Sequence, residues 1–194
     1  MLPLKARKIS MPVLIPETQL GTVLIPSFTV SRGNIVVIKL PHGALFSWLT
    51  SSFADHIKRQ TSDIAPAFAY VDYSPGTSLK RLFSPVSIKD YVHKAGNPSS
   101  PAIAEMYKST EFSPGTKLSS LISGDQKLLA LLVTLSRTPH VILNMSGLDP
   151  ERAKRIFSIL QDNASRQGTS IILDLCDEFK SECTHFIESM VITV

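Results

Sequence analysis

The sequence predicts an α/β domain built on a mixed, partly parallel sheet, and three observations carry that expectation. The second half alternates short apolar runs with amphipathic helical stretches, the strand–helix–strand order of parallel crossovers. The first 40 residues hold two or three strand candidates with turn residues between them. Between these parts, from Ser74 to about Lys117, the chain is rich in Pro, Ser, Gly and Lys and carries only short helical patches. A chain of 194 residues, 43% apolar and 19% charged, has enough material for one domain with a substantial core.

The early strand candidates are Pro12 to Ile15, Gly21 to Val30 and Asn34 to Leu40, with Gly33 and Asn34 supplying the turn before the last. From Ala44 to Ile57 the apolar residues Leu45, Leu49, Phe53 and Ile57 recur every four positions, a helical period, and Lys58 and Arg59 follow where a helix C-terminus favours positive charge. Ala67 to Tyr73 reads as a further strand. In the segment after it, helical patches fall near Ile88 to His93 and Ala102 to Tyr107, as in a surface insertion or a small helical subdomain.

Asp125 to Arg137 is apolar around nearly its whole circumference, as a buried helix should be, and Ser123 with Gln126 three residues later makes a capping box at its start. Val141 to Leu143 is a short apolar strand. Asp149 then reads as an N-cap with Pro150 in the first helical position, and Ala153, Ile156, Phe157, Leu160 and Ala164 form one apolar stripe that ends before Gly168. Thr169 to Leu175 and Met190 to Val194 read as the last strands. No internal repeat interrupts this order.

Charge and composition exclude several classes of function. The balance of 20 Lys and Arg against 16 Asp and Glu leaves +4, and the basic residues are scattered where a nucleic-acid footprint would be dense. An RNA or anion binder is therefore the weakest of the functional expectations. No run approaches the ~18 apolar residues of a membrane span. The start MLPLKARKISMPVLIPE breaks its apolar runs with charge and proline, unlike a signal peptide. These features predict a cytoplasmic protein. Cys176 and Cys183 are too few and too awkwardly spaced for a zinc site and read as buried, reduced thiols of a reducing compartment. His42, His93, His140 and His185 are isolated and read as structural. Asp174, Asp177 and Glu178 read as a solvated acidic turn, because no further ligand has the spacing to complete a metal shell. Neither a metal nor a cofactor is expected.

The stretch Lys39 to Trp48, KLPHGALFSW, has the rhythm of a phosphate-binding loop: a strand, a Gly-containing turn, then a helix. It has no lysine where phosphate requires one. With the segments Ile122-Ser123-Gly124-Asp125-Gln126 and Ser146-Gly147-Leu148-Asp149-Pro150-Glu151, the chain resembles the nucleotide-binding domain of the ATP-binding cassette (ABC) family. The resemblance is strongest from about Leu118 to Phe179, where signature segment, helix, Walker B strand, D-loop, helix and strand follow in that order. It is moderate over Gly33 to Trp48 and faint between.

What the resemblance implies is a P-loop NTPase-like architecture over residues 1–194 as a single domain: 1–73 for the N-terminal strands, loop and helix, 74–122 for a reduced helical subdomain, and 123–194 for the rest. It also implies that the residues which handle ATP have been replaced. A phosphate-binding loop turns backbone N–H groups toward phosphate and adds a lysine charge. Here the two glycines of that pattern align with Leu40 and Leu45, the lysine with Phe46 and the threonine with Trp48, so that only Gly43 and Ser47 remain. Loss of one charge-assisted bond of about 1.5 to 3 kcal/mol weakens binding by about one to two orders of magnitude.

The Walker B carboxylates align with Asn144 and Met145, with two or three residues missing before Ser146. An amide is a weaker metal ligand than a carboxylate, and a thioether accepts no proton. Tyr73 aligns with the family's glutamine and Cys176 with its switch histidine, while Asp125 takes the place of the second signature glycine. The resemblance therefore implies no catalytic residues, a degenerate nucleotide site at Leu40, Gly43, Leu45, Phe46, Ser47, Tyr73, Asn144, Met145 and Cys176, and a dimer-interface role for Ser123, Gly124, Asp125, Gln126, Gly147, Leu148 and Asp149. Read without the family, the opening loop is an ordinary β-to-α turn in which Leu45, Phe46 and Trp48 pack onto the sheet.

The functional expectation is an inactive ABC-type subunit that serves as a structural or regulatory platform, in the cytoplasm or peripheral to the inner face of a membrane. Its expected partners are proteins: a second copy, an ABC-type ATPase or a membrane protein of a transport or secretion assembly. The alternative is a divergent ATP-binding subunit that works with an active partner ATPase.

Overall fold

The computed structural model describes residues 12–63, 67–71 and 86–192. The chain divides into two compact units, one of Met1–Tyr70, Pro139–Ser146 and Ser158–Val194, the other of Val71–Thr138 and Gly147–Phe157.

The first unit is built from three sheets. Strands β1 (Val13–Ile15) and β4 (Phe28–Val30) pair antiparallel, and β2 (Thr18–Leu20), β3 (Val23–Ile25) and the late β10 (Met190–Val191) form an antiparallel sheet with β3 in the middle. The principal sheet is parallel throughout, in the order β6 (Ala69–Tyr70), β7 (His140–Asn144), β8 (Thr169–Asp174), β5 (Ile35–Lys39), β9 (His185–Glu188). Ile35 pairs with Ser170 and Lys39 with Asp174, so β5 and β8 end level with one another. Both are flanked by strands and read as apolar runs, as the inner strands of a covered parallel sheet do. Val36, Val37, Ile38, Ile171, Ile172 and Leu173 are all fully buried.

The single strand expected over Gly21 to Val30 is two strands, because Pro26 has no N–H for a ladder and the chain changes sheet there. Strands β2 and β9 had no clear alternation in the sequence. The strand expected from Met190 to Val194 is only two residues long within the described part. Helix α1 (Phe46–Gln60) follows β5 and buries Phe46, Leu49, Thr50, Phe53, Ala54 and Ile57 on one face. Phe46, Leu49, Phe53, Ala54 and Ile57 pack into a core with Ile15, Ile25, Phe28, Val30, Ile38, Ile142 and Leu173. Gly33 adopts φ +77°, donates its N–H to Gly168 O at 2.9 Å, and makes the turn that delivers the chain into β5.

The second unit is helical. It contains α2 (Ile88–Ala95), α3 (Pro101–Met106), single 3₁₀ turns at Thr110–Phe112 and Leu118–Ser120, α4 (Ser123–Leu135) and the first half of α5 (Pro150–Ser165). Ser87 and Asp90 form a reciprocal capping box at the start of α2, and Ser100 caps α3 with Pro101 in its first turn. Ile88, Val92, Ile103, Met106, Phe112, Leu128, Leu129 and Leu131 are buried. Asn97 N–H donates to Ser136 Oγ at 2.9 Å and Arg155 pairs with Glu111 at 2.8 Å, tying the connecting loops to the longer helices. The Pro- and Ser-rich stretch is thus, over its described part, a small helical body.

Candidate functional site

In the first unit, the C-terminal ends of β5, β7 and β8 bring together most of the positions singled out above. Leu40 continues the ladder past β5: its N–H donates to Asp174 O at 2.8 Å and its side chain is buried. His42 to Leu45 are exposed. Gly43 has φ +151°, which disfavours an L side chain, so glycine is required here by the turn itself. Nothing lies within 4 Å of where its Cβ would be. Gly43 O then accepts from Phe46 N–H at 3.1 Å, and Leu45 serves as N-cap of α1 with no side-chain capping bond.

The three apolar residues of this turn part ways. Phe46 is buried, with 8% of its surface exposed, in the core between α1 and the strands. Leu45 is 62% exposed and Trp48 is 48% exposed, against the expectation that all three pack onto the sheet. The helical register explains the difference: Phe46, Leu49, Phe53 and Ile57 share the buried stripe, and Leu45 and Trp48 fall outside it. Ser47 is exposed, and its carbonyl accepts from the hydroxyls of Thr50 and Ser51.

The nearest lysine in sequence is committed elsewhere. Lys39, the last residue of β5, places its ammonium 2.9 Å from Asp177 and 3.3 Å from Glu188, and these carboxylates, Asp177 above all, raise its pKa above the ordinary lysine value. Asn144, ending β7, donates its amide to Tyr70 Oη at 3.0 Å. Met145 is buried and its N–H donates to Leu173 O at 3.2 Å.

Asp174 is 4% exposed, which corrects its reading as part of a solvated turn. It ends β8 inside the sheet, and its carboxylate accepts from Leu175 N–H at 2.7 Å and from the Cys176 thiol at 3.5 Å. Asp177 and Glu178 are exposed. Cys176 is exposed and Cys183 half-buried, which corrects the expectation that both thiols are buried, because the turn after β8 leaves the sheet for the surface. What desolvation remains, with the Asp174 and Glu178 charges, pushes the Cys176 thiol above its ordinary pKa, so it remains protonated at neutral pH. Tyr73 lies outside the described residues. Among the described residues no group of three His, Cys, Asp or Glu side chains is placed to hold a metal ion.

The second unit holds the other set. Helix α4 starts one residue earlier than a Ser123 cap requires: Ile122 is the N-cap, Ser123 is the first helical residue, and no side chain caps the end. The expected capping box is therefore absent, and Gln126 turns back to donate to Leu118 O and Leu121 O at 3.1 and 2.8 Å. At α5 the expected cap is present, with Asp149 Oδ1 accepting from Arg152 N–H at 3.0 Å. Backbone and side-chain bonds from Arg152 hold the Asp149 carboxyl below the ordinary range. Gly147 has φ +78°, in the left-handed region that glycine adopts freely, and is exposed; Leu148 is half-buried.

No sequence motif marks Arg152. Its Nε donates to Asp125 Oδ1 at 2.8 Å and its Nη1 to Asp149 Oδ2 at 2.9 Å. The i,i+3 spacing from Asp149 was visible, but the partner in α4 was not.

No family model matches the sequence, and no curated relative matches it. Solved structures do match. A nucleotide-free ATP-binding cassette from an ABC transporter aligns with a TM-score of 0.59 at 14% identity, over 94% of this chain and 88% of that one. A component of the ABC transporter complex CbiONQ from Clostridium perfringens aligns with a TM-score of 0.58 at 16% identity, over 94% of this chain and 87% of its own. A bacterial Atm1-family ABC exporter with ATP bound aligns with a TM-score of 0.60 at 19% identity, over 84% of this chain and 33% of that one. Among the described residues no helix is long and apolar enough to cross a membrane. At such identities likeness establishes architecture alone, and the architecture is that of an ABC transporter ATP-binding cassette: the chain has that fold.

Proposed function

We propose that the chain is a non-catalytic ABC-type subunit, a structural or regulatory platform for protein partners in a cytoplasmic or membrane-peripheral transport assembly. The observation that carries this reading is Phe46. It opens α1 where the resemblance aligns the phosphate-binding lysine, and its ring is buried in the core. A phosphoryl-handling site works by positioning and by electrostatic stabilisation. At this strand end Lys39 is neutralised by two carboxylates, and the residues that the resemblance aligns with the Walker B carboxylates and the switch histidine are an amide, a thioether and a protonated thiol: Asn144, Met145 and Cys176.

The platform role is supported by Leu45 and Trp48, large apolar side chains left in solvent on the first turn of α1. Aromatic side chains in such positions are the usual anchors of protein interfaces. That a structural neighbour is part of an ABC transporter complex fits a partner of the same kind, whether an active ATPase, a second copy or a membrane component.

The second reading, a divergent ATP-binding subunit working with an active partner ATPase, draws on the exposed turn His42 to Leu45 and the open space around Gly43. Titration calorimetry with Mg²⁺-ATP to millimolar concentration separates the two. The expected result for the chain alone is no saturable heat and no phosphate release; saturable binding would replace the first reading by the second.

A further inference from the structure

The N-terminal end of α4 is covered by a side chain from α5, within one unit of the chain. Arg152 lies across Gly124: a Cβ added to Gly124 would overlap Arg152 Cδ and come within 2.9 Å of Nε. Beyond that crossing, the guanidinium is gripped on both sides, by Asp125 at 2.8 Å and by Asp149 at 2.9 Å. Asp149 is itself fixed as the cap of α5 through its bond to Arg152 N–H. The Asp125 and Arg152 side chains are 20% and 30% exposed, so the pair is partly withdrawn from solvent. Asp125 also sits in the first turn of α4, where the free N–H groups favour a negative charge. The end of α4 thus carries an internal carboxylate, an internal cation paired to it, and a glycine whose missing side chain is the space the arginine stem occupies.

We propose that Arg152 is a latch that locks the start of α4 to the start of α5, and that Gly124 is required in order to admit it. While the latch is shut, the first turn of α4 accepts neither an external anion nor a second backbone. The latch holds whether or not the loop after β5 binds nucleotide.

The distinguishing test is a change of sign. In an exposed helix, replacing Gly by Ala favours the helix by about 0.8–1 kcal/mol, or roughly four- to fivefold in the folding equilibrium. In the full chain Gly124→Ala is expected to lower stability in urea unfolding, because the added methyl group expels Arg152 from both carboxylates. In an Arg152→Ala background the same substitution is expected to raise it, by at most the roughly four- to fivefold propensity gain. Gly124→Ala acting alike in both backgrounds overturns the proposal.

A second measurement uses the unaltered protein and needs no variant to fold. In ¹⁵N spectra the Arg152 Nε–H should appear as a separate resonance, and the amides of Ser123 to Gln126 should show no saturable shift with inorganic phosphate up to tens of millimolar. Saturable shifts there mean that the end is open, and refute the latch. Arg152→Lys should restore only part of the coupling to Asp125, since one ammonium lacks the separate Nε and Nη1 arms with which the guanidinium reaches Asp125 and Asp149.

Discussion

Phe46→Lys introduces the residue type that a phosphate-binding loop uses, and so asks whether the turn after β5 is a nucleotide cradle lacking one charge or a piece of the core. The ring is 8% exposed and packs in the cluster of α1, β5 and the antiparallel strands. Burying a phenylalanine fully contributes about 1.5–3 kcal/mol by transfer, and truncation in a core costs about 3–5 kcal/mol once the cavity is included. A lysine recovers part of this by laying its methylenes along the apolar wall with its ammonium in water. A net loss of about 2–4 kcal/mol follows, which at 2–4 °C per kcal/mol for a chain of this size lowers the midpoint by about 5–15 °C. Calorimetric scans of wild type, Phe46→Lys and Phe46→Leu should rank in the order wild type, Leu, Lys, and none should be raised by Mg²⁺-ATP. If Phe46→Lys melts with wild type and its midpoint climbs with ATP concentration, the side chain does not hold the core and the turn is a nucleotide cradle lacking one charge.

Three further outcomes follow from the same structure. Burial, with a smaller contribution from the Arg32 charge, holds the His140 pKa below its ordinary value, and burial acts likewise on His56. Both imidazoles are therefore favoured neutral in the fold, so stability is fully present above the unfolded pKa of about 6.5 and is lost as pH falls below it, by up to about 1.4 kcal/mol per pH unit for each histidine. His140→Leu should flatten the fall in denaturation midpoint between pH 6.5 and 5, and an unchanged slope would show that His140 takes no part. Gly33→Ala should cost about 1–2 kcal/mol in urea unfolding, since φ is +77° and the new Cβ would sit 3.3 Å from Ala164 O; a neutral effect would contradict the left-handed turn. Ser87→Ala removes one half of the capping box of α2, and a loss of about 1 kcal/mol should speed amide exchange within α2 while leaving β5 and β8 protected.

The parts of this fold legible in the sequence are those in which one local rule decides the outcome. Helix α1 could be read because Leu49, Phe53 and Ile57 repeat at a helical spacing against a single wall, and β5 and β8 because strands covered on both sides are apolar without interruption. Strand β9 escaped because it is an edge strand bonded to β5 alone, with exposed His185 and Glu188 at its ends, so nothing demanded an apolar run of it. The site divides in the same way. Asp149 as a cap was readable because it and the amide it serves lie three residues apart, whereas the roles of Asp125, Arg152 and Asp174 are fixed by partners or burial that appear only once strands and helices are assembled. Ser123 illustrates the limit from the other side: the spacing to Gln126 satisfied the capping rule, but Gln126 found two carbonyls at Leu118 and Leu121, and the helix began a residue early. The aligned family positions behave no differently. Leu45 and Phe46 are neighbours in one motif, yet one is in water and the other in the core, because what each side chain does is set by the face of α1 on which it falls.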